Sequence, residues 1–247
     1  MTKALSGSTV IVTGGSRGLG KAIALAFAAE GAKVGLLCRR SYETAREVAR
    51  QIEREGGIAW AYPCDVADCG AVNSTIGDVF RKAGSLDLIV NNAGVSHSSL
   101  LLKTDEGTWD AVLATNLTGA FNLTRAALPY MLRQRRGHIV NIGSLSAIQG
   151  IAGSVAYCAS KAGLIGLTLS SAREYGSRGI AVNAVLPGYM PTEMGKAMPR
   201  ASREAILSEN VLGRGSTPED VARFIVRLVH MEGVSGQVFN LDSRPWW

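Results

Sequence analysis

The sequence has little of what would tie it to a membrane, a metal or the cell exterior. Four cysteines in 247 residues (Cys38, Cys64, Cys69 and Cys158) lack zinc-site spacing and are too sparse for a disulfide framework. They read as reduced thiols, so a cytoplasmic setting is expected. No run of eighteen apolar residues occurs, so no membrane span is expected. Met1 to Gly7 holds one lysine and no apolar stretch, and the apolar run from Val10 is broken by Gly14 and Gly15, so no secretory signal is expected. Repeats, linkers and low-complexity segments are also missing, and residues 1–247 are expected to form one domain. The net charge of +6 raises a nucleic-acid partner, but the densest basic cluster, Arg133, Arg135 and Arg136, has only Tyr130 nearby for stacking. It reads instead as a solvated helix end, where cations suit the helix dipole.

What is present is ordinary globular material, 47% hydrophobic and 19% charged, in a chain long enough to bury a core without staples. Apolar runs of strand length recur at Thr9–Thr13, Lys33–Cys38, Ile58–Pro63, Leu86–Asn91, His138–Ile142, Ile180–Leu186 and Gln237–Leu241. Most are nearly continuous in Val, Ile, Leu and Ala, the pattern of parallel strands covered on both faces. Helical patterns lie between them: Gly20–Glu30, Tyr42–Arg54, Leu117–Arg136, Tyr157–Tyr175 and Pro218–His230. The alternation predicts one doubly wound α/β domain with helices on both sides of the sheet. One long stretch, Pro187 to about Ser202, reads as irregular, with Pro187, Gly188, Pro191, Gly195 and Pro199 among Met190, Met194 and Met198. It is expected to be either an adaptable apolar lid over a substrate or ordinary loop packing.

The first strand runs into Thr13-Gly14-Gly15-Ser16-Arg17-Gly18-Leu19-Gly20 and then a helix. Glycines there let backbone approach a pyrophosphate, whose charge the helix N-terminus meets. The spacing G-x-x-x-G-x-G is not the usual G-x-G-x-x-G, so the turn alone is weak evidence. The second strand ends Leu37-Cys38-Arg39-Arg40, with no carboxylate to bond a ribose 2′-hydroxyl. Arg39 and Arg40, joined by Arg17, match the 2′-phosphate of NADP instead. Asp65-Val66 follows the third strand, where a carboxylate could accept from an adenine amino group. Asn91-Asn92-Ala93-Gly94 ends the fourth strand, at the edge where open α/β sheets bind ligands.

Tyr157 and Lys161 stand four apart in a helical pattern and so share a face. The fifth strand ends Asn141-Ile142-Gly143-Ser144 and brings a hydroxyl to the same edge. A tyrosine is a poor acid–base catalyst until a cation stabilises its phenolate, which Lys161 would do. Ser144 would donate to, and orient, a substrate carbonyl. Beside a nucleotide-binding turn, the three describe hydride transfer.

On these elements, together with Asn116 and Pro187-Gly188, the chain resembles the short-chain dehydrogenases/reductases over essentially its whole length. The resemblance implies a Rossmann-type domain of seven parallel strands and a homotetramer or homodimer. It implies Tyr157 as the acid, Lys161 on the nicotinamide ribose, Ser144 on the carbonyl and Asn116 holding a water in a proton relay. Thr192 would meet the nicotinamide carboxamide.

Within the family the chain is most similar to the 3-oxoacyl-(acyl-carrier-protein) reductases. The likeness rests on Ser16-Arg17-Gly18, Arg173-Glu174-Tyr175, Leu212-Gly213-Arg214-Gly215 and Pro218-Glu219-Asp220-Val221-Ala222. It implies NADPH-dependent reduction of a 3-oxoacyl thioester to the 3-hydroxyacyl thioester. An acidic acyl carrier protein is expected to dock on Arg125, Arg133, Arg135, Arg136 and Arg173 near the mouth of the site. The chain ends in Asp242-Ser243-Arg244 where that subfamily has Asp-Gly-Gly, and then in Pro245-Trp246-Trp247. The two tryptophans are expected against a neighbouring subunit or at a substrate entrance. The rival readings are a reductase of a free ketone, quinone, steroid or polyol, and a catalytically idle NADP-binding subunit.

Overall fold

A computed structural model describes residues 5–198 and 200–245, so Trp246 and Trp247 lie outside the described residues. Seven parallel strands form one sheet in the order β3-β2-β1-β4-β5-β6-β7. They are β1 (Thr9–Thr13), β2 (Lys33–Cys38), β3 (Ile58–Pro63), β4 (Leu88–Asn91), β5 (Gly137–Ile142), β6 (Ile180–Leu186) and β7 (Val238–Asn240). The helices are α1 (Gly18–Ala29), α2 (Tyr42–Arg54), α3 (Cys69–Ala83), α4 (Glu106–Leu113), α5 (Gly119–Gln134), α6 (Ser146–Gln149), α7 (Val155–Tyr175), α8 (Glu193–Lys196), α9 (Arg200–Ser208) and α10 (Pro218–Leu228).

Every residue of β1 and β4 is buried, because both faces of the sheet are covered. Ile23, Ala24 and Phe27 of α1 pack on one face with Val221, Ala222 and Ile225 of α10. Val72, Ile76 and Val79 of α3 cover the other with Leu123, Ala127 and Met131 of α5. Each large apolar side chain so buried contributes about 1.5–3 kcal/mol relative to exposure. The chain winds outward from β1 to β3 and then returns to β4, so the strand order reverses between β1 and β4. Open α/β sheets bind ligands at the carboxyl edge of such a reversal.

All seven expected strands are present, and the differences lie at the ends. Leu86 falls outside β4 because Gln134 satisfies its backbone from the side, accepting from its N–H at 3.0 Å and donating to its carbonyl at 2.8 Å. The helix expected from Leu117 begins as one π turn, Ala114–Thr118, which runs on from α4. The stretch expected to be irregular from Pro187 to Ser202 is partly helical. Thr192 caps α8 by accepting from the Gly195 N–H at 3.3 Å, and α9 runs beyond Ser202 to Ser208. Met190 packs on the core there, whereas Met194 is exposed.

Candidate active site

The turn after β1 is shaped around its glycines. Gly14 has φ +65°, in the left-handed region that disfavours side chains. A Cβ on Gly20 would stand 2.2 Å from the Gly14 carbonyl oxygen, so the start of α1 lies flat on the turn. Thr13 ties this turn to the end of β4: its hydroxyl accepts from the N–H groups of Asn92 and Ala93 at 3.0 and 2.9 Å. Asn92 returns the tie, donating from Nδ2 to the Thr13 carbonyl at 2.8 Å.

Helix α1 begins without a side-chain cap, its N-cap is Arg17, and no acidic residue occupies its first turn. Its first N–H groups and dipole therefore favour an anion from outside, and Ser16, Gly18, Leu19 and Gly20 surround that terminus. Thr192 closes the turn from above, because a Cβ on Gly18 would meet its methyl at 3.4 Å. This uncapped, glycine-lined helix end fits the pyrophosphate of a dinucleotide.

The arginines do not gather as expected. Arg39 pairs with Asp65 at 3.3 Å, Arg17 crosses to Glu193 at 2.5 Å, and Arg40 is exposed. The Asp65 carboxylate, expected as an acceptor for adenine, is engaged at both oxygens, since Oδ1 accepts from the Ala67 N–H at 3.0 Å. Both ion pairs are exposed and worth about 0–1 kcal/mol each, so a bound anion could draw either arginine away cheaply. Val66 is buried under α5, where Asn122 donates to its carbonyl at 3.0 Å.

At the same carboxyl edge, β5 delivers Ser144 and α7 delivers Tyr157 and Lys161. Lys161 is buried, donates to the Ile142 carbonyl at 2.7 Å, and stands 5.6 Å from the centre of the Tyr157 ring. Burial lowers its pKa from 10.5 to about 8. Burial also raises the Tyr157 phenol above its ordinary value, while interaction with Ser144 pulls the other way. Desolvation sets the direction, and the lowering expected from Lys161 has no part in it. A Cβ on Gly94 would lie 3.4 Å from Asn116 Oδ1 and 3.7 Å from Lys161 Nζ, so the end of β4 closes on both residues.

Asn116 is buried in the π turn. Its amide is taken up by the protein, accepting from the Val95 N–H at 2.8 Å and donating to the Val95 carbonyl at 2.9 Å and Ser160 Oγ at 3.0 Å. The relay water implied by the resemblance would therefore have to be held by the Asn116 main chain.

Three contributors went unread in the sequence. Ser146 donates to Ser144 Oγ at 2.8 Å. Ser160 accepts from Asn116 and donates to the Tyr157 carbonyl at 2.7 Å. Thr13 was noticed only as a residue before glycine. Ser146 and Ser160 each sit within three residues of a residue singled out, which is the one signal they offered.

Four of the five arginines proposed for carrier docking lie elsewhere, while Arg125 contacts Cys69 at the start of α3. Helices α5 and α7 run antiparallel to the strands, so Arg133 and Arg173 in their last turns, and Arg135 and Arg136 just past α5, face the amino edge. Arg136 is paired there with Asp87 at 2.9 Å. Within one chain they do not ring the mouth of the site. Among the described residues no helix is long and apolar enough to cross a membrane, and no group of three or more His, Cys, Asp or Glu could hold a metal.

Comparison with known proteins bears on this arrangement. The short chain dehydrogenase family matches residues 8–203. A 3-oxoacyl-(acyl-carrier-protein) reductase FabG of Thermotoga maritima is 41% identical over 241 residues, covering 97% of this chain and 98% of that one. The protein of the same name from Staphylococcus aureus is 40% identical over 237 residues, covering 95% and 96%. A 3-oxoacyl-(acyl-carrier-protein) reductase of Synechocystis is 40% identical over 243 residues, covering 97% of each. The crystal structure of a dehydrogenase/reductase from Sinorhizobium meliloti superimposes with a TM-score of 0.91 at 37% identity, covering 98% of this chain and 96% of that one. The parallel sheet, its glycine turn and these likenesses agree: the chain belongs to the short-chain dehydrogenase family and is an oxidoreductase that works with a nicotinamide cofactor.

Proposed function

We propose that the protein reduces a 3-oxoacyl thioester, carried on an acyl carrier protein, to the 3-hydroxyacyl thioester with NADPH. The observation that carries the chemistry is the meeting of Ser144, Tyr157 and Lys161 at the carboxyl edge, beside an uncapped α1 N-terminus. The relatives at about 40% identity, named for acyl-carrier-protein substrates, supply the substrate class.

Carbonyl reduction needs a hydride at carbon and a proton at oxygen. Gly14–Gly20, Asn92–Gly94, Pro187-Gly188 and Thr192 would hold a nicotinamide cofactor, which would supply the hydride. The proton comes from the Tyr157 hydroxyl, which burial keeps protonated at neutral pH. Ser144 donates to the same carbonyl oxygen. Ser146 donates into Ser144 Oγ, which fills an acceptor position there and leaves the Ser144 proton for substrate. Lys161, as an ammonium, stabilises the phenolate left on Tyr157 and would hold the nicotinamide ribose. Asn116 and Ser160 brace that helix, and a water held by the Asn116 main chain would pass a solvent proton by way of Lys161 back to the Tyr157 phenolate.

NADP is favoured over NAD because β2 ends in Cys38-Arg39-Arg40. Arg39 is held loosely by Asp65, so turning its guanidinium to a 2′-phosphate costs little.

The test follows NADPH oxidation with acetoacetyl thioesters, carrier-linked and free, beside simple ketones, quinones and sugars. Tyr157→Phe should keep the fold and cofactor affinity while lowering turnover by about 10² or more. Near-normal activity of Tyr157→Phe would refute the acid assignment. Turnover of a free ketone or quinone without any β-keto thioester would refute the substrate.

A further inference from the structure

A buried ion pair at the carboxyl edge has no part in the chemistry above. Asp242 follows β7 with no exposed side-chain surface, and the side chain of Arg244 is only 9% exposed. The guanidinium donates to Asp242 Oδ2 from Nη2 at 2.5 Å and from Nε at 3.0 Å, and the Arg244 N–H donates to Oδ1 at 3.1 Å. The carboxylate is thereby bonded to side chain and backbone of a residue two positions on, which closes a tight loop.

That loop is fastened to three other segments. A Cβ on Gly188 would stand 3.0 Å from Asp242 Cγ, so the carboxylate packs on the Pro187-Gly188 corner after β6. Ser243 Oγ donates to Asn210 Oδ1 and accepts from the Leu212 N–H at 3.4 Å, which holds the chain leaving α9. Gln149, at the end of α6, donates to the Pro245 carbonyl at 3.0 Å. Helix α6 starts two residues after Ser144. The tail thus joins the segments that leave β5 and β6 on the side where Ser144 and Tyr157 lie.

The pair is poorly suited to binding an anion. Arg244 is neutralised by Asp242, and Glu209 adds a second negative charge 3.7 Å from Nη1. A buried ion pair is also weak evidence for stability, since desolvation of both ions offsets their attraction. What it does supply is a single geometry.

We propose that Asp242–Pro245 is a strap holding the chain after α9 against the helix behind Ser144, and that the Asp242–Arg244 pair is the positioning element that sets how far the carbonyl-substrate pocket opens. The proposal rests on the reading of Ser144 and Tyr157 as the reaction centre. The Ser243–Asn210 tie holds the chain after α9 and not the Pro187-Gly188 corner, where the cofactor would pass, so cutting that tie should raise KM for the carbonyl compound and spare KM for NADPH.

Ser243→Ala and Asn210→Ala cut the tie without stranding a charge, and are the primary variants. Arg244→Met strands the Asp242 carboxylate, so it is paired with the double variant Asp242→Asn/Arg244→Met and with Arg244→Lys. Hydrogen exchange of residues 200–212 in the cofactor-free protein is measured first, then both KM values. Exchange in Ser243→Ala and Asn210→Ala should quicken by about tenfold or more. KM for the carbonyl substrate should rise about fivefold or more, with KM for NADPH within about twofold. Arg244→Lys should recover part of the loss seen in Arg244→Met. Unchanged exchange in both primary variants would overturn the strap, as would equal rises in both KM values. A wild type that turns over no tested carbonyl compound would count against the reaction-centre reading, while the exchange result would still decide the strap.

Discussion

Lys161 carries its charge where the fold disfavours it. It is buried, its partner among the described residues is the Ile142 carbonyl at 2.7 Å, and burial takes its pKa from 10.5 to about 8. That drop corresponds to about 3 kcal/mol by which folding is penalised while the amine is charged. Between pH 8 and 10.5 the unfolded chain binds more protons than the folded one, so stability rises with pH across that window. Below pH 8 the full penalty stands, and above 10.5 it is gone. Lys161→Met keeps an unbranched apolar stem and removes the charge, but strands the Ile142 carbonyl, at about 1–3 kcal/mol. In the absence of cofactor the variant should therefore be more stable than wild type by roughly 0–2 kcal/mol at pH 7. That advantage should fall by about 3 kcal/mol as pH rises to 10.5, leaving the variant the weaker protein there. Urea denaturation of both proteins from pH 7 to 10.5 measures the difference, in which other titrating groups largely cancel. Turnover of Lys161→Met should be lost throughout. A stability difference that stays flat across the window would refute the buried-charge argument, whatever happens to activity.

Two further substitutions probe the cofactor and the serine. Arg39→Asp sets a second carboxylate beside Asp65 and removes a charge-assisted donor worth about 1.5–3 kcal/mol, so the NADPH-to-NADH preference should fall more than about tenfold. An unchanged ratio of kcat/KM values would make Arg39 a surface residue. Ser146→Ala removes the hydroxyl that donates to Ser144 Oγ, and loss of one net hydrogen bond of about 0.5–1.5 kcal/mol predicts kcat lower by about 2–12-fold. KM for NADPH should not move, and Ser146→Thr should restore the rate. A full rate in Ser146→Ala would show that Ser144 is positioned without it.

The sheet was legible because its strands are covered on both faces. Val10-Ile11-Val12 and Leu88-Ile89-Val90 have no polar residue to break the run, the pattern of parallel strands covered by helices on both faces. Element ends were less legible, since they depend on partners far away in sequence. Leu86 reads as strand until Gln134, 48 residues on, takes its backbone. The π turn at Asn116 was not legible, because the one-residue shift it makes in the apolar period reads as a new helix starting at Leu117. In the stretch from Pro187 to Ser202, prolines and glycines concealed α8 and α9, although Thr192 three residues before Gly195 was a capping spacing.

The residues proposed to carry the chemistry were placed by a different signal. Tyr157 and Lys161 must share a helix face, Ser144 must end a strand, and the glycines must sit between a strand and a helix, so spacing alone restricts them. Residues that act through others carry no such restriction. Arg17 looks like a phosphate ligand beside Arg39, yet Glu193, 176 residues away, is its partner. Arg244 looks like a loose tail residue, yet it is buried against Asp242. Both pairings join segments close in space and remote or unremarkable in sequence, and both border the cleft. The same holds for Lys161, whose cost to the fold comes from the protein packed around it. A buried amine whose partner among the described residues is one backbone carbonyl is a poor choice for stability and a suitable one for the proposed contacts with a sugar hydroxyl and a phenolate, which is why the stability of Lys161→Met and its loss of turnover should point in opposite directions.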